Sequence, residues 1–206
     1  NMDSKGGVEP LVAAAEPDGS MGYNAVVVVR TDSPYKTIED LKGKTVARTD
    51  PLSGSGYLIP TAAFRAMGKP VDEYFKSPLS GGHPQSVLGV LKGTYDAAFT
   101  WTSKNDNIGN LRQMMNKGLL KREDIRIIWT SEPLPSPPVV IRKDVPADMR
   151  ADILKLFTGL KDVDMKLAEA VAQGKTSGMV PVSHKDYGLM CQAAADEREA
   201  RRRKAK

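Results

Sequence analysis

The residues with the most chemical character stand in two short glycine-rich stretches. The first is Ser53-Gly54-Ser55-Gly56, directly ahead of the apolar run Tyr57-Leu58-Ile59. The second is Gly81-Gly82-His83, directly ahead of Pro84. Small residues at a helix start leave backbone N–H groups without an intrahelical acceptor, and the helix dipole adds positive potential there. Successive amides in such a turn form an anion-binding nest. Glycine lets an oxyanion approach the backbone closely, and the hydroxyls of Ser53 and Ser55 add donors. The chemistry on offer is oxyanion binding. The plain alternative is a capped helix with a flexible approach, and the first stretch taken alone slightly favours it. The second stretch shifts the balance, because each turn follows a predicted strand. Two such turns at the carboxyl ends of strands can face one crevice. His83 there donates a hydrogen bond, or carries a charge if protonated; its alternative is a surface or capping histidine.

Enzymatic motifs fail on inspection. A P-loop requires G-x-x-x-x-G-K-[ST], and Gly43-Lys44-Thr45 has its end, but Ile38 stands where the first glycine belongs. A nucleophile elbow requires G-x-S-x-G, and Ser53 occupies the first glycine position before Ser55. No H-E-x-x-H occurs, and the acidic residues are scattered without a pair that a pocket would collect. Cys191 is alone, and with two histidines it makes a poor metal inventory. His184, seven residues from Cys191, does not make it a catalytic thiol.

The elements that must position the two turns are read from periodicity. The chain has 206 residues, 40% hydrophobic and 27% charged, enough for one domain or two small lobes with a core. Its longest apolar run, residues 25–29, is far too short to span a membrane. The first ten residues are polar and show no signal peptide, so a targeting segment was either removed or never present. Residues 196–206 carry six basic and three acidic side chains, which accounts for +3 of the net +5. That reads as a solvated helix end; no aromatics interleave with the arginines, which argues against nucleic-acid binding.

Residues 25–30 read as a buried strand and 44–47 as a second. Thr37 caps a short helix that Gly43 ends, with Asp40 three residues on. Helices are predicted over 58–67 and 70–75, with 75–79 extended between them and the second turn. Pro84 opens a helix striped by Val87, Val90 and Leu91 and closed by Gly93. Strands follow at 95–101, 125–129 and 139–141, and helices at 110–117, 149–160, 163–172 and from 186 onward. This alternation predicts an α/β fold with mostly parallel sheet. Crossovers near 28–31 and 128–138 divide the chain into one lobe over 32–128 and another from 1–31 and 129–206.

Three stretches carry a family resemblance: "DGSMGYNAVVVVRTDSPYKTIEDLKGKTVARTDPLSGSGYLIP", "GGHPQSVLGVLKGTYDAA" and "IIWTSEPLPSPPVVIRKDVP". In this order, over about residues 18–157, they resemble the phosphonate-, phosphite- or phosphate-binding proteins of ABC importers, the PhnD-type periplasmic solute-binding proteins. The resemblance implies a two-lobed, hinged fold of the type II periplasmic-binding-protein class that closes on its ligand. It implies a small phosphorus oxyanion as ligand, a membrane permease as partner, a periplasmic or extracytoplasmic location with lipoprotein attachment possible, no cofactor and no covalent step. Carried over residue by residue, it places Tyr23, Ser53, Gly54, Ser55 and His83 on the ligand, with Gly56 completing the turn. Trp101 would wall the apolar side of the ligand, or else pack in the core; Tyr23 competes with a reading as a hinge aromatic. A sensory domain of the same fold is the main alternative, and an enzyme acting on a phosphorylated compound a lesser one.

Two departures from the family pattern stand out. Where the family shows S-T-S-G, Gly54 removes one hydroxyl but keeps its amide. Aminoalkylphosphonate binders can place acids near the ligand amine, whereas Pro135-Ser136-Pro137-Pro138 has none and the stretch after Ala98 offers only Asp106. That argues for phosphite or a short alkylphosphonate. Family members also begin with a further βαβ segment. Its apparent absence from lobe 1 leads to the expectation of one incomplete cleft wall, completed by that segment or by a partner chain.

Overall fold

Five consecutive apolar residues, 25–29, decide where the larger sheet goes. In the computed structural model, which describes residues 7–204, the chain begins with β1 (Val8–Ala15) and β2 (Tyr23–Arg30). It continues through β3 (Val46–Ala47), α1 (Ile59–Ala66), α2 (Val71–Tyr74), α3 (His83–Leu91) and β4 (Ala97–Ser103). Next come α4 (Asn110–Asn116), β5 (Ile125–Thr130), β6 (Pro138–Arg142) and α5 (Ala147–Val163). The chain then closes with α6 (Met165–Ala172), β7 (Gly178–Pro181) and α7 (Gly188–Lys204). The reading of the polar terminus falls partly on residues 1–6, and that of the basic tail partly on 205–206, outside the described residues.

Strand β2 sits inside a four-stranded sheet of order β3-β4-β2-β5. Alternate side chains of a strand point to opposite faces, so a continuous apolar run means that both faces are covered. Val26 and Val28 pack with Val87, Val90, Leu111 and Met114 from α3 and α4. Val27 and Val29 pack on the other side with Phe64, Phe75 and Phe99. A second sheet, of order β6-β1-β7, is antiparallel throughout and packs Leu11, Val12, Ile141 and Met179 against Ile153, Leu154 and Phe157 of α5.

The expectation of a mostly parallel sheet is corrected. In the larger sheet β3 and β4 run parallel, while β2 is antiparallel to both β4 and β5. Burial on two faces, which the valine run reports, says nothing about strand direction. Strand β2 lies between β4 and β5, so residues 23–30 belong with the four-stranded sheet, where a boundary at 31 had separated them from it. The two connections between the sheets are therefore residues 16–22 and 131–137. They run side by side: Tyr23 N donates to Leu134 O at 2.9 Å, Leu134 N to Tyr23 O at 2.7 Å, and Gly22 N to Ser136 Oγ at 2.8 Å. Gly22 has φ +114°, and a Cβ there would stand 2.9 Å from Leu134 O, so this crossing point needs glycine.

Most predicted elements stand where periodicity put them, with shifted ends. The Thr37 segment shortens to a 3₁₀ turn over Glu39–Leu41, and Asp40 accepts from the amides of Lys36 and Thr37. Strands β1 and β7 have no sequence counterpart. Strand β1 is alanine-rich, contains Pro10 and bulges between Pro10 and Val12, and all three features oppose a strand reading. The basic end of α7 leaves Arg202 and Arg203 exposed, as a solvated helix end requires.

Phe64 is fully buried and makes edge-to-face contacts with Phe75 at 5.4 Å, Phe99 at 5.5 Å and Trp129 at 5.1 Å. Phe64→Ala should therefore lower stability by about 3–5 kcal/mol. Chemical denaturation measures this; a loss below about 1 kcal/mol would place the main core elsewhere.

Candidate oxyanion-binding site

After β3 the backbone turns at 50–53 and enters a wide helical turn, the π-helix Gly54–Leu58, which runs directly into α1. Such wide turns recur at functional sites. Ser53 is extended (φ −69°, ψ 125°), and its Oγ accepts from Gly56 N at 3.0 Å. The amides of Gly54 and Ser55 open the helix, where geometry supplies no intrahelical acceptor. Gly56 is the residue that this turn cannot change, since a Cβ there would stand 2.1 Å from Thr49 Oγ1 and 2.8 Å from Thr49 Cβ.

The second glycine-rich turn is stitched to the first. Ser80 N donates to Arg48 O at 2.8 Å, and Gly81 N donates to Thr49 O at 3.0 Å. These bonds extend the strand pairing of β3 and bring the start of α3 beside the Ser53–Gly56 turn. His83 Nε2 lies 3.3 Å from Ser53 Oγ, and its Nδ1 lies 3.4 Å from Thr100 Oγ1. Asn110 Nδ2 in turn donates to Thr100 Oγ1 at 3.0 Å. Burial pulls the His83 pKa down to about 4, with the charge of Asp50 opposing weakly. The imidazole is neutral at neutral pH, which corrects the option of a charged histidine: it offers one N–H and one acceptor nitrogen.

Tyr23, at the start of β2, is buried, and this pushes its hydroxyl up to about 12, while a hydrogen bond with the Ser55 side chain works the other way. Trp101 on β4 meets Tyr23 edge-on at 5.1 Å and His83 at 6.5 Å. All seven residues singled out from sequence, Tyr23, Ser53, Gly54, Ser55, Gly56, His83 and Trp101, thus come together. Tyr23 pairs with the crossing strand at Leu134, and its hydroxyl meets the Ser55 side chain of the turn.

Tyr23 and Trp101 also border a cavity of about 240 Å³ between the two sheets. Its other lining includes Glu16, Ser103, Ser136 and Gln173, whereas Ser53–Gly56 and His83 do not reach it. Glu16 is 2% exposed; its carboxylate accepts from Asn107 Nδ2 at 2.9 Å and from Asn105 N at 3.4 Å. The argument from missing acids is corrected here. Asp106 is engaged by Thr102 and Arg122 and does not line the cavity, while Glu16, at the start of the 16–22 connection, does. Nothing in Ala15-Glu16-Pro17-Asp18 marks this carboxylate, because its placement depends on the crossover. Among the described residues no group of three or more His, Cys, Asp or Glu is placed to hold a metal.

An α/β fold of two sheets joined by paired crossovers, with glycine-rich turns at the junction, defines a class. Residues 1–187 match the family described as "ABC transporter, phosphonate, periplasmic substrate-binding protein", and the chain belongs to it. It is 31% identical over 144 residues to the phosphonates-binding periplasmic protein of Escherichia coli K12, covering 68% of this chain and 41% of that one. It is 25% identical over 195 residues to the phosphate-import protein PhnD of Mycolicibacterium smegmatis, covering 86% and 59%. The chain thus spans about half the length of these relatives. Its fold is similar to a binding protein component of an ABC phosphonate transporter from Pseudomonas aeruginosa (TM-score 0.75, 21% identity, 90% and 61% covered). It is also similar to PhnD1 of Prochlorococcus marinus in complex with methylphosphonate (TM-score 0.72, 15% identity, 92% and 71% covered). No described helix is long and apolar enough to cross a membrane.

Two outcomes test this geometry. An unfolded imidazole binds its proton near pH 6.5, while folded His83 waits until about 4. Between these values the unfolded state holds more protons, so stability falls as pH drops through that window, by on the order of 2–3 kcal/mol. Denaturation of the parent and of His83→Gln from pH 7 to 4 should show a shallower fall in the variant; equal slopes would mean that His83 is not desolvated. Gly56→Ala should cost about 1–3 kcal/mol of stability, whereas Gly54→Ala meets only the tip of a flexible side chain, Met190 Cε. Equal losses in thermal unfolding would contradict the close packing of Gly56 on Thr49.

Proposed function

We propose that this chain is a solute-binding protein that captures a small phosphorus oxyanion at the junction of its lobes and delivers it to the permease of an ABC importer. The observation that carries this reading is the stitching of two glycine-rich turns, which gathers the Gly54 and Ser55 amides, the hydroxyls of Ser53, Ser55 and Tyr23, and a neutral imidazole. Every one of these groups can donate a hydrogen bond, and none carries a charge. Hydrogen bonds from neutral donors to an anion are short and strong, and preorganised dipoles bind it without a counter-ion. The lobes in this reading are the four-stranded sheet with its helices and the three-stranded sheet with α5 and α6, hinged at residues 16–22 and 131–137. Closure of the hinge buries the ligand.

The organic side of the ligand is read from the adjoining cavity. Its aromatic wall of Tyr23 and Trp101 suits an alkyl substituent. Glu16 supplies a carboxylate that the loops do not, which removes the objection to an amine-bearing phosphonate. An enzymatic reading has one observation in its favour, the Ser53–His83 contact at 3.3 Å. It is a poor nucleophile–base pair. The Ser53 hydroxyl is already an acceptor for Gly56 N, His83 faces Thr100 where a carboxylate would be needed, and burial makes the imidazole a weak base.

Thermal unfolding with phosphite, methylphosphonate, 2-aminoethylphosphonate, phosphate and sulfate tests the function. Ligand at about a hundred times its dissociation constant adds roughly 2.7 kcal/mol, a shift on the order of 5–10 °C for a chain of this size. At least one phosphorus anion should shift the transition while sulfate leaves it in place. Ser55→Ala and His83→Ala should each weaken that binding roughly 5- to 50-fold without unfolding the protein. Unchanged affinity in both variants would sink the site assignment, and turnover of any compound in the panel would revive the enzyme.

A further inference from the structure

The family match ends at residue 187, and the next residue opens α7. This helix folds back over the candidate site. Met190, on its first turn, joins Tyr23, Trp101, Leu134 and Ile59 in one apolar cluster. Its Cε lies 2.5 Å from the point where a Cβ on Gly54 would stand, and the Tyr23 hydroxyl lies 3.5 Å from that same point. A side-chain methyl from beyond the family-matched stretch is therefore seated directly on the oxyanion turn. The interlobe cavity stops at Tyr23 and Trp101 and does not open onto Ser53–Gly56.

Beyond its first two turns α7 is mostly charged, with eight charged side chains among residues 196–204. A half-open groove of about 250 Å³ beside its contact with α1 is lined by Leu58, Ala62, Ala66 and Ala193 together with Arg65, Asp196 and Glu197. A wider groove of about 670 Å³ beside it is lined mainly by charged side chains, among them Arg65, Asp72, Asp196 and Glu199. One ion pair between α7 and α1 joins Arg65 to the buried Glu197 at 3.4 Å. A helix whose far half is charged has little apolar area there to bury, and such an element opens at lower free energy than the core it covers.

We propose that α7 is a releasable cover on the oxyanion turn: with Met190 seated on Gly54 the turn is shut, and ligand gains it when the helix lifts. The inference rests on reading the turn as the ligand site. Helix seating and ligand binding then compete, so the apparent dissociation constant is the intrinsic one divided by the fraction of chains whose helix is lifted.

Full-length Met190→Ala and Met190→Ala/Glu197→Ala, checked for folding by circular dichroism, test it with two readouts. Hydrogen exchange at the Gly54 and Ser55 amides, measured without ligand, should rise roughly tenfold in the double variant. The dissociation constant for methylphosphonate, measured by calorimetry on the same proteins, should fall several-fold. Exchange within a factor of two of the parent overturns the cover, as does weaker methylphosphonate binding, which would make Met190 a wall of the site. Faster exchange with no binding of methylphosphonate, phosphite or phosphate by parent or variants keeps the cover and overturns the reading of the turn as a phosphorus-anion site.

Discussion

The candidate site depends on two backbone hydrogen bonds, from Ser80 N to Arg48 O and from Gly81 N to Thr49 O. Each glycine-rich turn alone is an ordinary helix start. These bonds continue the pairing of β3 past its last residue and lock the approach to α3 against the approach to α1. Once they form, His83 can stand beside Ser53, and the donors of both turns lie side by side. Backbone bonds are well suited to this, because their geometry does not rely on side-chain rotamers and their breakage strands buried amides.

Burial then sets the chemistry of what has been gathered. His83 and Tyr23 are both desolvated, and both are held in their neutral forms across the physiological range. A charged imidazole would bind an oxyanion more strongly in isolation, but it would have to be desolvated without a partner whenever the site is empty. A cluster of neutral donors avoids that cost and still concentrates positive potential where the amides converge. Glu16 is the exception in the neighbourhood. It is a buried acidic side chain to which Asn105 and Asn107 donate across the junction of the two sheets.

Much of the fold was legible in the residues. The valine run, the positions of helix-stopping glycines and Pro84 at a first helical turn placed most of the elements of the larger sheet and its helices. The misses have physical causes. Strand β1 hides its nature behind alanines and a proline, and its stability comes from pairing on both edges with β6 and β7 rather than from local propensity. The parallel reading failed because helices cover both faces of this sheet whatever its strand directions. The sheet that β2 joins was not legible either, because a periodic pattern does not say which sheet a strand enters.

The sequence by itself determined the local devices: small residues at two helix starts, an apolar run buried on both faces, and, through its resemblance, the family. These are properties of neighbouring residues, and period, propensity and turn chemistry act over that range. Only the tertiary structure decided that the two turns meet, that His83 is stripped of water and neutral, that Glu16 lines the cavity between the sheets, and that Met190 rests on Gly54. Each of these joins residues between 17 and about 140 positions apart. Such contacts form only after the loop entropy between them has been overcome by the burial of both sheets, and no local pattern encodes where that burial brings them.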